Sequence, residues 1–310
     1  MKKKIFIDGQ AGTTGLTIYK RLQSLPGLEL LKIPAAKRKD AAVRAEFVKK
    51  SDIAVLCLPD AASRELIPLL DKQDRVIDTS TAFRTSPDWV YGFPELQPDF
   101  YSRIKAANRV ANPGCYATGF IAAVKPLIDQ GLIDPGYTFC ANAVSGYSGG
   151  GKKLIALYET DHTEVKTAHY CQYKADLNHK HVPEMTRICA LKNKPLFTVA
   201  VDHFYKGMVV NVALPSAVLD RNRLTRTTIL KSLQDYYRDC PGLQIKKWED
   251  AVDRHGFLAP ANRITNPEGI DIIVMGQEKG HLNLCARLDN LAKGAGGAAV
   301  QNLLIMLDQA

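Results

Sequence analysis

Apolar and polar positions in the first hundred residues alternate between two patterns. The runs KKIFIDG, LELLKIP, DIAVLCLP and RVIDTS are short and apolar, and predict four strands. Between them, apolar residues recur three and four positions apart. These segments are 14–24, then KDAAVRAEFVKKS with Asp40 as its N-cap, then AASRELIPLLDKQ, helical as far as Pro68. Near-continuous apolar strands separated by helices predict a parallel sheet covered on both faces, the doubly wound pattern.

The pattern changes after Gly131. GYTFCANAVSGY (136–147) reads as a longer strand followed by a glycine-rich loop. Residues 195–215 contain two strand-like runs around a turn near Lys206 and Gly207. Residues 270–290 form two alternating strands joined at 278–280. These antiparallel signals predict a mixed α+β second domain. The small, apolar C-terminal segment has helical spacing and is expected to return to the first domain. The chain is therefore expected to be α/β. A Rossmann-type NAD(P)-binding domain would span 1–114 with 290–310, and a mixed α+β catalytic and dimerisation domain would span 115–289. Long antiparallel strands in the second domain suggest a shared sheet or dimer face, hence a homodimer or homotetramer.

Composition narrows the setting. Of 310 residues, 46% are hydrophobic, which supports a sizeable core. No apolar run approaches a membrane-spanning length. The basic opening MKKK is followed by only three apolar residues before Asp8 and Gly9, so it reads as a first strand and not as a signal peptide. The seven cysteines form no CxxC pair, which suits reduced thiols and a cytoplasmic setting. The net charge of +9 reads first as a basic, soluble surface and, more sharply, as attraction of anionic small molecules; nucleic acid is disfavoured, because the basic residues are dispersed and lack interleaved aromatics.

Gly9, Gly12 and Gly15 form GxxGxxG between the first strand and first helix, with Thr13 and Thr14 at the helix start. Glycines there let the backbone turn tightly and approach a pyrophosphate, which the helix N-terminus attracts. A tight strand–helix turn uses the same glycines, but the position at the first βα turn favours dinucleotide binding. The second strand ends in LLKIPAAKRKD with no acid before Asp40 to hold a ribose 2′-hydroxyl. Lys37, Arg38 and Lys39 could instead neutralise a 2′-phosphate, so the expected cofactor is NADP (NADPH), with Arg38 as the leading contact.

In NRVANPGCYATG, Cys115 follows an abrupt turn and opens a helical segment. The positive end of a helix favours thiolate over thiol. Cys57, Cys140, Cys189 and Cys285 lie in apolar surroundings and Cys240 precedes a proline, which leaves Cys171 as the only rival. A nucleophilic thiol needs a group to manage protons, and DLNHKHVPEM offers His179 and His181. That pair with Glu184 could instead ligate zinc. The flanking cysteines are too distant for common zinc spacings, so no metal is expected.

NPGCYATG, AVSGYSGGGK (143–152), HKHVPE (179–184) and DNLAKGAGGAAVQN (289–302), with DTSTAFR and YGFPEL, together resemble the N-acetyl-γ-glutamyl-phosphate reductases, in the shorter of their two size variants. The matches run in family order over nearly the whole chain. The chain is similar, more distantly, to aspartate-semialdehyde dehydrogenases. The resemblance implies NADPH-dependent reduction of an acyl phosphate to an aldehyde in arginine biosynthesis. It places the catalytic cysteine on Cys115 and the catalytic histidine in HKHVPE, where His181, adjacent to Val-Pro-Glu, is taken over His179. It assigns Ser148, Gly149, His179 and Arg84 to the substrate, and Asn290 and Gly294 to the nicotinamide side. Many relatives carry an acid where this chain has Ala82. The alternatives are a related acyl-phosphate reductase or a non-catalytic NADP-binding sensor.

Overall fold

The computed structural model describes residues 2–160, 164–258 and 260–309. The chain divides into two compact units, Met1–Gly114 with Ala295–Ala310, and Cys115–Gly294.

The first unit holds β1 (Lys3–Asp8), α1 (Thr13–Gln23), β2 (Leu28–Leu31), α2 (Ala41–Lys49), β3 (Ile53–Leu56), α3 (Asp60–Leu66), β4 (Val76–Asp78), β5 (Val90–Tyr91), α4 (Pro98–Ala106) and β6 (Arg109–Ala111). Its sheet runs β2-β1-β3-β4-β6-β5, and every pair is parallel. The period of two along each strand sends side chains to opposite faces. Ile5, Ile7, Ile53 and Val55 pack with Ile18 and Leu22 of α1, Ile104 of α4, and Ala299 and Leu303 of the C-terminal helix, Gly297–Met306. Phe6, Ala54 and Leu56 face the other way, toward Val48 of α2 and Leu66 of α3. Burying one such aliphatic or aromatic side chain contributes about 1.5–3 kcal/mol. The expected caps are in place: the Asp40 carboxylate accepts from the Ala42 and Val43 N–H groups, and α3 gives way to a 3₁₀ turn at Pro68. The C-terminal helix returns to this unit, as its apolar spacing predicts.

The second unit holds α5 (Cys115–Asp129), β7 (Cys140–Gly146), α6 (Gly151–Glu159), β8 (Cys171–Tyr173), α7 (Val182–Ile188), β9 (Leu196–Asp202), β10 (Met208–Leu214), α8 (Ser216–Arg221), α9 (Arg226–Tyr236), β11 (Leu243–Lys247), β12 (Ile270–Gly276) and β13 (Leu282–Leu288). Its sheet is mixed and runs β11-β12-β13-β10-β7-β9-β8, with β7–β9 and β11–β12 parallel. β12 and β13 form the expected hairpin. β9 and β10 do not pair with each other, because β7 lies between them. The 203–207 connection instead passes over the end of β7. Its carbonyls at Gly207, Phe204 and Tyr205 accept from the N–H groups of Gly146, Tyr147 and Ser148. A Cβ at Gly146 would lie 2.6 Å from the Tyr205 carbonyl oxygen, so this crossing needs glycine there. Helix α5 is buried over most of its circumference. It packs on β10 closely enough that a Cβ at Gly119 would sit 2.8 Å from Val210.

Candidate active site

In the first unit, the chain leaves β1 through Gly9, in a left-handed conformation at φ 77°. A Cβ there would lie 2.2 Å from the Cys57 carbonyl oxygen, and one at Gly15 would lie 2.5 Å from the Gly9 carbonyl oxygen. Both positions are glycine because backbone fills the space of any side chain. Gly12 donates to the Gly9 carbonyl and caps α1 with no side-chain acceptor, and no acid sits in the first helical turn. The buried Thr13 Oγ1 has no hydrogen-bond partner among the described residues. An uncapped helix start, a glycine cradle and an orphaned hydroxyl fit the pyrophosphate of a dinucleotide.

A 410 Å³ cavity opens beside this loop, lined by Gly9, Gln10, Arg38, Lys39 and, unanticipated from the sequence, Asp8 and Arg44. Arg38 reaches it on the turn after β2, where its Nε donates to the Ala35 carbonyl at 3.1 Å. Asp8 is 2% exposed. Burial pushes its carboxyl up to about 6, against the opposing pull of Arg44 and the Gly9 N–H. Arg84 is a buried member of the same unit. Its Nε donates to the Asn112 carbonyl and its Nη2 to the Thr79 carbonyl, so part of its guanidinium braces the ends of β4 and β6.

In the second unit, Cys115 is the first residue of α5, where a helix presents its partial positive charge. It lines a 600 Å³ cavity with His179, Tyr116, Gly149, Lys153 and Tyr173. Against its back lies Gly294, in the π-helical turn Ala292–Gly296. A Cβ at Gly294 would come within 2.7 Å of Cys115 Cβ. That turn is held in shape by Asp289, whose Oδ1 accepts from the Leu291 and Ala292 N–H groups while Lys206 pairs with it at 3.0 Å. Gly294 thus has a visible packing role against the thiol.

His179 and His181 meet edge to face with ring centroids 4.7 Å apart, and both are buried. The His181 N–H donates to His179 Nδ1 at 3.2 Å, so that nitrogen acts as an acceptor. His179 Nε2 lies 3.5 Å from the Tyr173 hydroxyl, which in turn donates to the Tyr116 hydroxyl. Burial, helped by Lys180 and Lys174, pushes the His179 imidazole down to about 4, so it is neutral near pH 7. His181 is not a lining residue of the cavity, but its ring lies 6.0 Å from that of Tyr116, the residue after Cys115. No group of His, Cys, Asp and Glu suited to hold a metal ion occurs among the described residues.

Burial pushes Cys57 up to about 12 and Cys285 up to about 11, and raises Cys189 further still. These three stay protonated. Cys171 lines the same cavity as Cys115, with its Sγ 3.7 Å from the Tyr158 hydroxyl. Asn290 is buried and used internally: its Nδ2 donates to Ser148 Oγ and its Oδ1 accepts from the Gly207 N–H. It joins the 203–207 crossing to the glycine-rich loop. Ser148 is a buried member of that loop, and its neighbour Gly149 lines the cavity.

A glycine-cradled dinucleotide unit and a helix-mounted thiol beside paired histidines define a two-domain enzyme of the semialdehyde dehydrogenase class that uses a nicotinamide cofactor. Residues 4–104 match the family described as semialdehyde dehydrogenase, NAD binding domain, and residues 115–290 match semialdehyde dehydrogenase, dimerisation domain. Among solved structures, aspartate semialdehyde dehydrogenase II from Vibrio cholerae has the same fold, with a TM-score of 0.65 at 17% identity over 99% of both chains. Curated relatives resemble the chain far more in sequence. N-acetyl-gamma-glutamyl-phosphate reductase 2 of Nostoc sp. is 45% identical over 99% of this chain and 97% of its own. The N-acetyl-gamma-glutamyl-phosphate reductase of Rhizobium meliloti is 44% identical over 99% of each. The chain belongs to the N-acetyl-γ-glutamyl-phosphate reductase family. No helix among the described residues is long and apolar enough to cross a membrane.

Proposed function

We propose that this protein reduces N-acetyl-γ-glutamyl phosphate to N-acetylglutamate semialdehyde at the expense of NADPH, releasing phosphate, through a thioester on Cys115. The observation that carries the reading is the placement of Cys115. It opens α5, lines a cavity with His179, and is backed by the turn carrying Gly294. The Cys115 sulfur attacks the acyl-phosphate carbonyl carbon, and the carbon–oxygen bond to phosphate breaks, leaving the acyl group on sulfur. When bound, the nicotinamide supplies the hydride that takes the thioester to the aldehyde level. His181 gives a proton to the oxygen derived from the carbonyl at the thiohemiacetal stage and takes it back as the carbon–sulfur bond breaks and the aldehyde carbonyl forms. Its neighbour His179 is neutral and accepts from the His181 backbone, which suits a positioning and substrate-contact role. Lysines at the cavity rim, among them Lys153 and Lys174, supply positive charge for an anionic substrate. Covalent catalysis of this kind divides one difficult displacement into two easier steps.

Arg38 and Lys39 beside the dinucleotide loop favour NADP over NAD, because their charge complements a 2′-phosphate. The working unit is a homodimer or homotetramer assembled through the second unit. The seven cysteines are thiols, which suits the cytoplasm. To test the thioester, the enzyme is mixed with N-acetylglutamate semialdehyde and NADP without phosphate, quenched in acid and examined by peptide mass spectrometry. The acyl group is expected on the Cys115 peptide and absent from Cys115→Ser. Acylation of the Cys171 peptide instead overturns the assignment.

A further inference from the structure

The dinucleotide cavity poses a problem for an anionic cofactor. Asp8, a buried carboxylate, forms part of the wall that Arg38 and Lys39 share. A negative charge there opposes a phosphate unless it performs another task. Arg44 supplies that task. It rises from α2, one turn after the Asp40 cap, and its side chain is 11% exposed. Its Nε donates to the Arg38 carbonyl at 2.8 Å and lies 3.4 Å from Asp8 Oδ2. Both contacts run through Nε. The single Nε–H is given to Arg38, so Asp8 Oδ2, which has no hydrogen-bond partner among the described residues, holds the guanidinium as an ion pair, and Arg44 lines the cavity.

We propose that Asp8 and Arg44 form a specificity couple, in which Asp8 positions Arg44 so that Arg44 fixes the 35–39 turn and joins Arg38 in holding the 2′-phosphate of the cofactor. This rests on the NADP reading above. A guanidinium pinned at Nε keeps its planar fork pre-organised for a phosphate, which a lysine in its place does not. The other groups around Asp8 are the Gly9 N–H and, from the end of β3, Cys57, which burial keeps as a neutral thiol.

The test is steady-state kinetics of the full-length enzyme with N-acetylglutamate semialdehyde and phosphate, using NADP and NAD in turn, with calorimetric Kd for NADPH and NADH as a readout independent of turnover that is expected to move in parallel with KM. Wild type is expected to favour NADP. Arg44→Ala should raise KM for NADP about tenfold and change KM for NAD less than twofold. Arg44→Lys should fall between the two. Asp8→Asn is the discriminating variant. Loss of a negative charge beside a phosphate tightens NADP binding by Coulomb attraction alone, whereas loss of the positioning contact weakens it. We expect KM for NADP to rise about threefold or more. Should Arg44→Ala fail to fold, Asp8→Asn and Arg44→Lys carry the test, with KM for NAD as the control for intact binding. A wild type indifferent between the two cofactors overturns the NADP reading and this inference with it. A wild type that favours NADP overturns the couple alone if Asp8→Asn tightens NADP or Arg44→Ala keeps the preference.

Discussion

Gly294→Ala probes the active site through one methyl group. Gly294 does not occupy the left-handed region, so alanine meets no backbone strain there. The obstacle is the thiol residue itself. The new Cβ would lie 2.7 Å from Cys115 Cβ and 3.2 Å from Cys115 Cα. Carbon atoms rest comfortably at about 3.5 Å or more, so the closer contact falls short by about 0.8 Å. Asp289 and Lys206 fix the 292–296 turn on one side, and the close packing of Gly119 on Val210 fixes α5 on the other. The shift therefore falls largely on Cys115. A displacement approaching 1 Å from attack geometry costs up to about 100-fold, so kcat should fall about 10- to 100-fold. Overpacking of this size destabilises a core by about 1–3 kcal/mol, which leaves the protein folded. The assay is aldehyde oxidation followed as NADPH absorbance, with a melting curve to establish folding and the rate of iodoacetamide alkylation of Cys115 as a separate readout. A folded variant with kcat within twofold of wild type refutes the claim that this contact sets the position of the nucleophile.

Other outcomes follow from the same contacts. Cys115→Ser should lower kcat by about 10³-fold or more while calorimetry still detects NADPH binding; substantial residual turnover assigns the chemistry to another group. His179 has a folded pKa of about 4 against an ordinary value of 6.5, so its stabilising effect is complete above pH 6.5 and is lost as pH falls from there toward 4. The loss is at most about 3 kcal/mol, and urea midpoints measured from pH 7 to pH 4.5 should show it in wild type and not in His179→Gln. Asp8 runs the other way: its pKa of about 6 against 3.8 means that its ionisation opposes folding, with the penalty absent below pH 4 and complete above pH 6. Asp8→Asn should therefore raise stability at pH 8 by at most about 3 kcal/mol and leave it unchanged near pH 4, as read by melting temperature. A more stable Asp8→Asn protein that binds NADPH less tightly cannot be explained by unfolding.

Much of the first unit was legible because its strands are short apolar runs and its helices carry clear stops. Asp40, Pro68 and the Gly9–Gly12–Gly15 spacing each have a local physical meaning that survives in the structure. The β12–β13 hairpin was legible for the same reason. The pairing of β9 and β10 was not, since a turn at Lys206 and Gly207 looks alike whether it joins neighbours or crosses over β7. The signal lay in Gly146, sixty residues away, whose missing side chain makes room for the crossing. β8 is a three-residue strand and β11 (LQIKK) is polar at three of its five positions, so neither shows a strand pattern. Polar networks were the least legible. Asn290, expected at the cofactor, has its amide bridging Ser148 and Gly207, and Arg84, expected at the substrate, gives guanidinium hydrogens to two carbonyls, and neither structural use shows in the sequence. Nothing in the sequence distinguishes Arg44 from the other polar positions of α2, because its partner Asp8 is distant in the chain.

Running the reaction backwards reads the thioester chemistry and the choice of substrate in one assay. Purified enzyme is given N-acetylglutamate semialdehyde, NADP and inorganic phosphate, and absorbance of the reduced cofactor is followed, with aspartate semialdehyde as the competing substrate. Sustained turnover that requires phosphate and favours the N-acetylated aldehyde by a wide margin in kcat/KM is expected of a thioester enzyme specific for the N-acetylated substrate. Turnover that proceeds undiminished without phosphate, or that favours aspartate semialdehyde, contradicts that assignment.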